Sequence, residues 1–340
     1  MRINKLTVFA LVAVAFAAAL GVALFPSGPS GRPASVNVWH RPSPASLIQA
    51  ALPSGKSGLR EFYAARGFAP AWTNDDGLLP DGKAAVQLLN DAPAEGLSAT
   101  YALAPPAKGA DARAAFDIAL SEALLRYAHD LRLGQVDPTA VYGADAVEIR
   151  ARQFDSLDAV ARFARDGDAA GFLAELEPTA PDYRALKTAL ARYRAIAASG
   201  GWPAVSGRHD IAGLSERLRR ENYLAAAPSN PAALKAALKA YQERNGLTPS
   251  GVADPATLEA LNVPAATRAA QIAANMERWR WLPAQLGRRY VMVNIADASL
   301  NYVEDGSVAL TSRFALRLKL PLRAGEIAGT RSSKDATLTR

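Results

Sequence analysis

The sequence predicts a mainly α protein: a large helical domain, then a small three-helix unit, then a short β fragment. Three observations predict it. Apolar residues recur at three- and four-residue steps through most of the chain, the spacing of one face of a helix. Alanine dominates the 50% of residues that are apolar, and it is the best helix former. Beyond Trp281 the period changes to the alternation of strands in "YVMVNI" and in "LNYVEDGSVALTSR", which turns at Asp305-Gly306.

In chain order, "MRINK" is a short basic start, followed by an uncharged apolar run of 20 residues, Leu6 to Phe25, and the breaker "PSGPSGRPAS". Residues 1–25 therefore read as an export signal, cleaved after "AFA" or kept as a membrane anchor with its basic end in the cytoplasm. Residues 26–50 read as a Pro/Ser/Gly-rich linker, and residues 51–205 as an all-helical domain. Within that domain, Asp111 to Gly134 is a long helix in which Phe116, Leu120, Leu124, Tyr127 and Leu131 form one stripe. Shorter helices are expected around 156–165 and 168–177. Another starts at Pro181 and stops at Gly200-Gly201, with Tyr183, Leu186, Leu190 and Tyr193 on one face.

Residues 206–264 read as the three-helix unit, with Leu214 and Leu218, then Leu234, Leu238 and Tyr241, then Leu258 and Leu261 inward. Residues 265–288 carry a connecting helix with Ile272, Met276 and Trp279 on one face, and 289–312 the strands. Residues 313–340 are a basic tail without clear period, in which Phe314 to Leu320 could alternate as a further strand.

Charge and residue counts exclude several function classes. The net charge is +7, but it sits at the two ends; between Lys5 and Arg313 there are 30 basic and 30 acidic residues. A neutral body argues against nucleic acid as a partner. With no cysteine there is no disulfide, thiolate metal site or thiol nucleophile. His40, His129 and His209 have no metal-ligand spacing, so neither a metal nor another cofactor is expected, and a zinc amidase is excluded. No Gly-x-Ser-x-Gly elbow supports a serine hydrolase, and no pair of carboxylates stands out.

Several stretches occur in a telling order: "LREFYAARGFAPAWTNDDG", "ALLRYAHDLRLGQVDP", "PDYRALKTALARYRAIAASGGWP", "LKAALKAYQERNGLTPSGVADPATLEALNV" and "RAAQIAANMERWRWLPAQLGRRYVMVNIADASLNYVEDG". From about Leu59 to Ser312 the chain resembles the large murein L,D-transpeptidases of Gram-negative bacteria. These carry a helical scaffold domain and a peptidoglycan-binding module beside a β-rich catalytic domain. The resemblance implies an exported, periplasmic protein with peptidoglycan as partner. Other wall-synthesis enzymes are further partners it implies, with the inner membrane if the signal stays uncleaved.

The family's chemistry is acyl transfer: a cysteine activated by a histidine takes an acyl group from a stem tetrapeptide, and an amine of a neighbouring stem resolves the thioester. Its signature is a histidine followed by Ser-x-Gly-Cys-x-Arg. This chain has no cysteine and no histidine after His209, so no catalytic residue carries over. The strands at 289–312 read as the start of an incomplete catalytic domain, and the tail as the product of a shifted frame, with a divergent native segment as the competing reading. Unpaired strand edges there predict disorder or aggregation from about residue 289 onward. Three readings stay open: a non-catalytic wall-binding protein, one part of a split transpeptidase, or a membrane-anchored scaffold for wall enzymes.

Within the module, the resemblance makes Tyr241, Gln242, Arg244, Asn245 and Thr257 the candidate peptidoglycan-binding residues. Ser250 and Ala253 depart from the family's usual aspartate and glycine. The plainer reading is that these residues build the fold: Gly251 permits the turn and Thr257 helps start the last helix. Trp279 and Trp281 are candidates for stacking on sugar, or else packing anchors at a domain seam.

Overall fold

The computed structural model describes residues 42–98, 100–142, 153–225, 230–283, 286–294 and 298–313. All belong to one unit spanning Pro42–Arg340. The segment expected to be an export signal, the expected linker as far as Arg41 and the tail from Phe314 lie outside the described residues. Among the described residues, no helix is long and apolar enough to cross a membrane.

The chain is mainly helical. The described elements are α1 (Pro44–Ala51), α2 (Ser57–Ala65), β1 (Thr73–Asn74), β2 (Gly77–Leu78), α3 (Pro80–Asn90), a 3-10 turn at Ala92–Glu95, α4 (Ala110–Leu133), α5 (Pro138–Tyr142), α6 (Ser156–Asp166), α7 (Ala169–Leu176) and α8 (Pro181–Ala198). They continue with α9 (Ile211–Arg220), α10 (Pro231–Arg244), α11 (Pro255–Leu261), α12 (Ala265–Arg280) and the strands β3 (Arg289–Asn294), β4 (Ser299–Glu304) and β5 (Ser307–Arg313).

The long helix α4 organises the first core. Its stripe of Leu120, Leu124, Tyr127 and Leu131 is buried against Ile48 of α1, Phe62 and Tyr63 of α2, and Val160 and Phe163 of α6. The same face carries Asp117 and Ser121, both fully buried. Asp117 accepts four hydrogen bonds, from the Tyr63 hydroxyl (2.7 Å), the Ala71 and Trp72 amides (2.9 and 2.8 Å) and the Thr73 hydroxyl (2.8 Å). A buried carboxylate is tolerable when its lone pairs are met this fully. Here it pins the segment after α2 onto α4.

Two features of this domain differ from expectation. α1 lies where a linker was expected to reach residue 50: Ser43 caps it, Pro44 opens it, and Ile48 is fully buried. The domain is also not purely helical, because β1 and β2 pair antiparallel. Asn74 accepts from the Asp76 amide (3.0 Å), and Gly77 takes a φ of 126° that closes the turn.

α12 packs along α8, where Tyr183, Leu190, Ala269 and Met276 form a second core. A third core holds α9, α10 and α11 together through Leu214, Leu218, Leu234, Leu238, Tyr241 and Leu261. β3, β4 and β5 form an antiparallel meander, which differs from the disorder expected of residues 289–313. Positive φ at Asp305 (47°) and Gly306 (77°) makes the tight turn that the sequence signals. Val291, Tyr302 and Leu310 stand opposite one another in the register, as do Val293 and Leu300, so one face of the sheet is apolar. Val291, Val293 and Leu310 are exposed on it.

Candidate functional site

The three helices of the small unit start alike. Asp210, Asn230 and Asp254 accept from the Gly213, Ala233 and Thr257 amides (2.8, 2.9 and 2.8 Å). Pro231 and Pro255 open α10 and α11, where a missing N–H costs nothing. Backbone donors hold both cap carboxylates below the usual range: the Ser206 amide first for Asp210, the Thr257 amide first for Asp254.

Gln242 ties the turn between α10 and α11 to the body. It is fully buried. Its Oε1 accepts from the Gly251 amide (2.8 Å), and its Nε2 donates to the Val252 carbonyl (2.8 Å) and the Thr257 hydroxyl (3.0 Å). Ser250, where the family commonly has aspartate, serves the same turn: its hydroxyl accepts from the Val252 amide (3.1 Å). Gly251 sits at φ 73°, and a Cβ there would come within 2.6 Å of Lys235 Cγ, so both backbone and space demand glycine.

The predicted residues therefore divide. Tyr241, Gln242 and Thr257 are buried within the unit, while Arg244 and Asn245 are exposed at the far end of α10. Tyr241 stacks edge-on against Tyr223, with centroids 5.4 Å apart, and burial pushes its phenol above the ordinary value. Asn245 donates back to the Tyr241 carbonyl (2.8 Å), and the Arg244 guanidinium lies 5.7 Å from the Tyr223 ring. No single face presents all five.

Trp279 packs against the second core, and Trp281 is 8% exposed. A Cβ at Gly134 would lie 2.8 Å from the Trp281 indole nitrogen, so the ring rests on the end of α4. Beside it Glu277 accepts from the Val136 amide (2.9 Å). Arg280, fully buried, donates to the Glu95 carbonyl, the Tyr183 hydroxyl (3.0 Å) and Glu277 (2.9 Å). Burial pushes the Tyr183 phenol up to about 12, so it remains a neutral acceptor for that guanidinium. These contacts make the end of α12 a packing anchor.

What the sequence did not reveal is an open groove of about 590 Å³ at the other end of the unit. Ile211 and Leu214 from α9, Leu234 and Leu238 from α10, and Val252 from the turn form its apolar surface. Arg208, His209 and Lys235 stand at it, all three exposed. Arg208 Nε donates to His209 Nε2 (3.0 Å), which sets the two side chains together. The available signal was the basic pair Arg208-His209 just before a capped helix, but its partner Lys235 comes from another helix.

Arg217 was also missed. It is fully buried, with its guanidinium 3.6 Å from the centre of the Trp202 ring. It donates to the Leu261 carbonyl (2.7 Å) and pairs with Glu221, which also accepts from Tyr193 of α8.

Among the described residues no cluster of histidine and acidic side chains could hold a metal. Compared with known families, residues 57–190 match the one described as Scaffold domain, and residues 208–261 match the peptidoglycan binding domain. No curated protein matches the chain. A peptidoglycan-binding domain beside this scaffold supports a cell-wall-associated role outside the cytoplasm, with peptidoglycan as partner. The two domains, in this order, support the L,D-transpeptidase family as the family of this chain.

Proposed function

We propose that this protein is exported, binds peptidoglycan through residues 208–261, and performs no acyl transfer by itself. The observation that carries the binding reading is the groove between α9 and α10, open to solvent beside a turn that Gln242 clamps to the body of the unit. Such a surface is ready to receive a ligand without rearranging. The absence of any cysteine supports the non-catalytic part, because the family's chemistry needs a thiolate.

Sedimentation with purified sacculi tests the proposal. The protein should pellet with sacculi and stay in solution without them. Protein left in the supernatant at micromolar sacculus concentrations would end the wall-binding reading.

A second reading, one part of a split or mis-framed transpeptidase, is favoured by the sheet. Val291, Val293 and Leu310 leave an apolar face in water, as the first strands of a larger β domain would. Resequencing across the codons for Ser312 and translating the downstream DNA in three frames separates the two. A histidine followed by Ser-x-Gly-Cys-x-Arg in another frame supports the second reading, and its absence supports the first.

A further inference from the structure

We infer that the groove between α9 and α10 takes the stem peptide of peptidoglycan, through its free carboxylates and methyl groups, and not the glycan strand. This rests on the wall-binding reading and specifies its ligand.

Charge points to an anion. Arg208 and Lys235 reach the groove from two different segments, and no carboxylate lines it. The acids nearest in sequence are both helix caps: Asp210 has its oxygens committed to the Gly213 amide (2.8 Å) and to the Ser206 amide and hydroxyl (both 3.1 Å), and Asp254 accepts from the Thr257 amide (2.8 Å). The groove also lies at the start of α10, which is capped by the neutral Asn230. The positive end of that 14-residue helix is therefore not cancelled by its own cap.

The apolar surface points to small aliphatic groups. It is made of branched aliphatic side chains, and two of them, Ile211 and Val252, are 54% and 51% exposed. Stem peptides offer alanine methyls and free carboxylates close together. A pyranose ring instead packs its C–H face on the broad ring of a phenylalanine, tyrosine or tryptophan, and none of these lines the groove. The aromatic rings of this unit are occupied elsewhere: Tyr241 with Tyr223, and Trp202 over Arg217.

Isothermal titration of the full chain tests this with two probes, a synthetic stem tetrapeptide and neutral oligomers of N-acetylglucosamine. The tetrapeptide should bind saturably, more weakly at higher salt, while the oligomers should not bind. Amidating the tetrapeptide's carboxylates should abolish binding, a test that needs no variant. R208E/K235E should bind the tetrapeptide roughly tenfold more weakly, whereas the charge-matched K83E/K108E on the scaffold should bind as the wild type does. Circular dichroism checks that both fold.

Saturable binding of the oligomers without the tetrapeptide would overturn the inference. So would amidation or R208E/K235E leaving affinity unchanged. If neither probe binds but the chain still pellets with sacculi, the peptide assignment falls and the wall-binding reading stands. If it does not pellet either, both fall.

Discussion

Gln242→Glu separates a residue that holds the module together from one that touches the wall. The substitution keeps the shape and keeps Oε1 as acceptor for the Gly251 amide. It replaces the donor that faces the Val252 carbonyl at 2.8 Å and the Thr257 hydroxyl at 3.0 Å. An ionised carboxylate there would set oxygen against oxygen in a site with no exposure and no adjacent cation among those contacts. The folded module therefore keeps the new glutamate protonated. Holding a carboxyl of ordinary pKa about 4.3 protonated at pH 7 costs about 4 kcal/mol, at about 1.36 kcal/mol per pH unit. The sign follows from the raised folded value: the penalty is full at high pH, shrinks to about 1 kcal/mol at pH 5, and vanishes below about 4.3. Hydrogen exchange read on peptides from 208–261 should be on the order of a thousandfold faster at pH 7, and only about fivefold faster at pH 5 after correction for intrinsic rate. Unchanged protection at pH 7 together with lost sacculus binding would refute the clamp and return Gln242 to the ligand.

Asp117→Asn turns an amide N–H₂ toward two of the four donors that meet the carboxylate, so the scaffold should lose about 2–4 kcal/mol. A thermal scan should show a melting point lower by roughly 5–10 °C; a shift under about 1 °C would contradict the role given to Asp117. Glu95 is pushed above its ordinary value of 4.5, by burial first, with Lys187 partly offsetting the rise and the neighbouring Glu177 charge adding to it. Its ionised form destabilises the fold, so its contribution declines as pH rises from 4.5 through the folded value. The stability of the wild type relative to Glu95→Gln should fall between pH 4.5 and 7, measured by urea unfolding; a difference independent of pH would count against it. Leu310→Lys, at an exposed position on the apolar face of the sheet, should reduce self-association in light scattering without changing the helical circular dichroism.

Helix periodicity was readable wherever the stripe was long: the run from Phe116 to Leu131 became α4, and Pro181 with Gly200-Gly201 bracketed α8. The same period held information about Tyr241 and Gln242. Leu234, Leu238, Tyr241 and Gln242 follow one helix face, so a glutamine there had to enter the core and find partners in it. Those partners, Gly251 and Val252, lie in a turn whose docking the periodicity does not specify. α1 carried its signals too, a Ser-Pro start and the apolar pair Leu47-Ile48, but the surrounding prolines and serines masked them. The groove was not readable because Arg208 and Lys235 meet only when α9 and α10 pack. Arg217 reads as one more charge on a basic helix until Trp202 and Tyr241 enclose it.

Arg217 also shows where the module begins. Its charge is met by Glu221, its Nε by the Leu261 carbonyl, and its flat face by the Trp202 ring. Trp202 precedes the boundary drawn at residue 206 from the sequence, and its indole donates to the Val263 carbonyl (3.1 Å) beyond α11. Glu221 in turn accepts from Tyr193 of α8, and Arg192 donates to the Arg220 carbonyl (3.3 Å). A cation removed from water needs all of these partners together, because leaving one out strands a buried charge. The end of α9 is thus fastened to the scaffold, while its first turn supplies Ile211 and Leu214 to the groove, about 15 Å away along ten residues. A ligand held in the groove is therefore linked through one short, stiff helix to α8, and so to the scaffold, rather than tethered by a flexible joint.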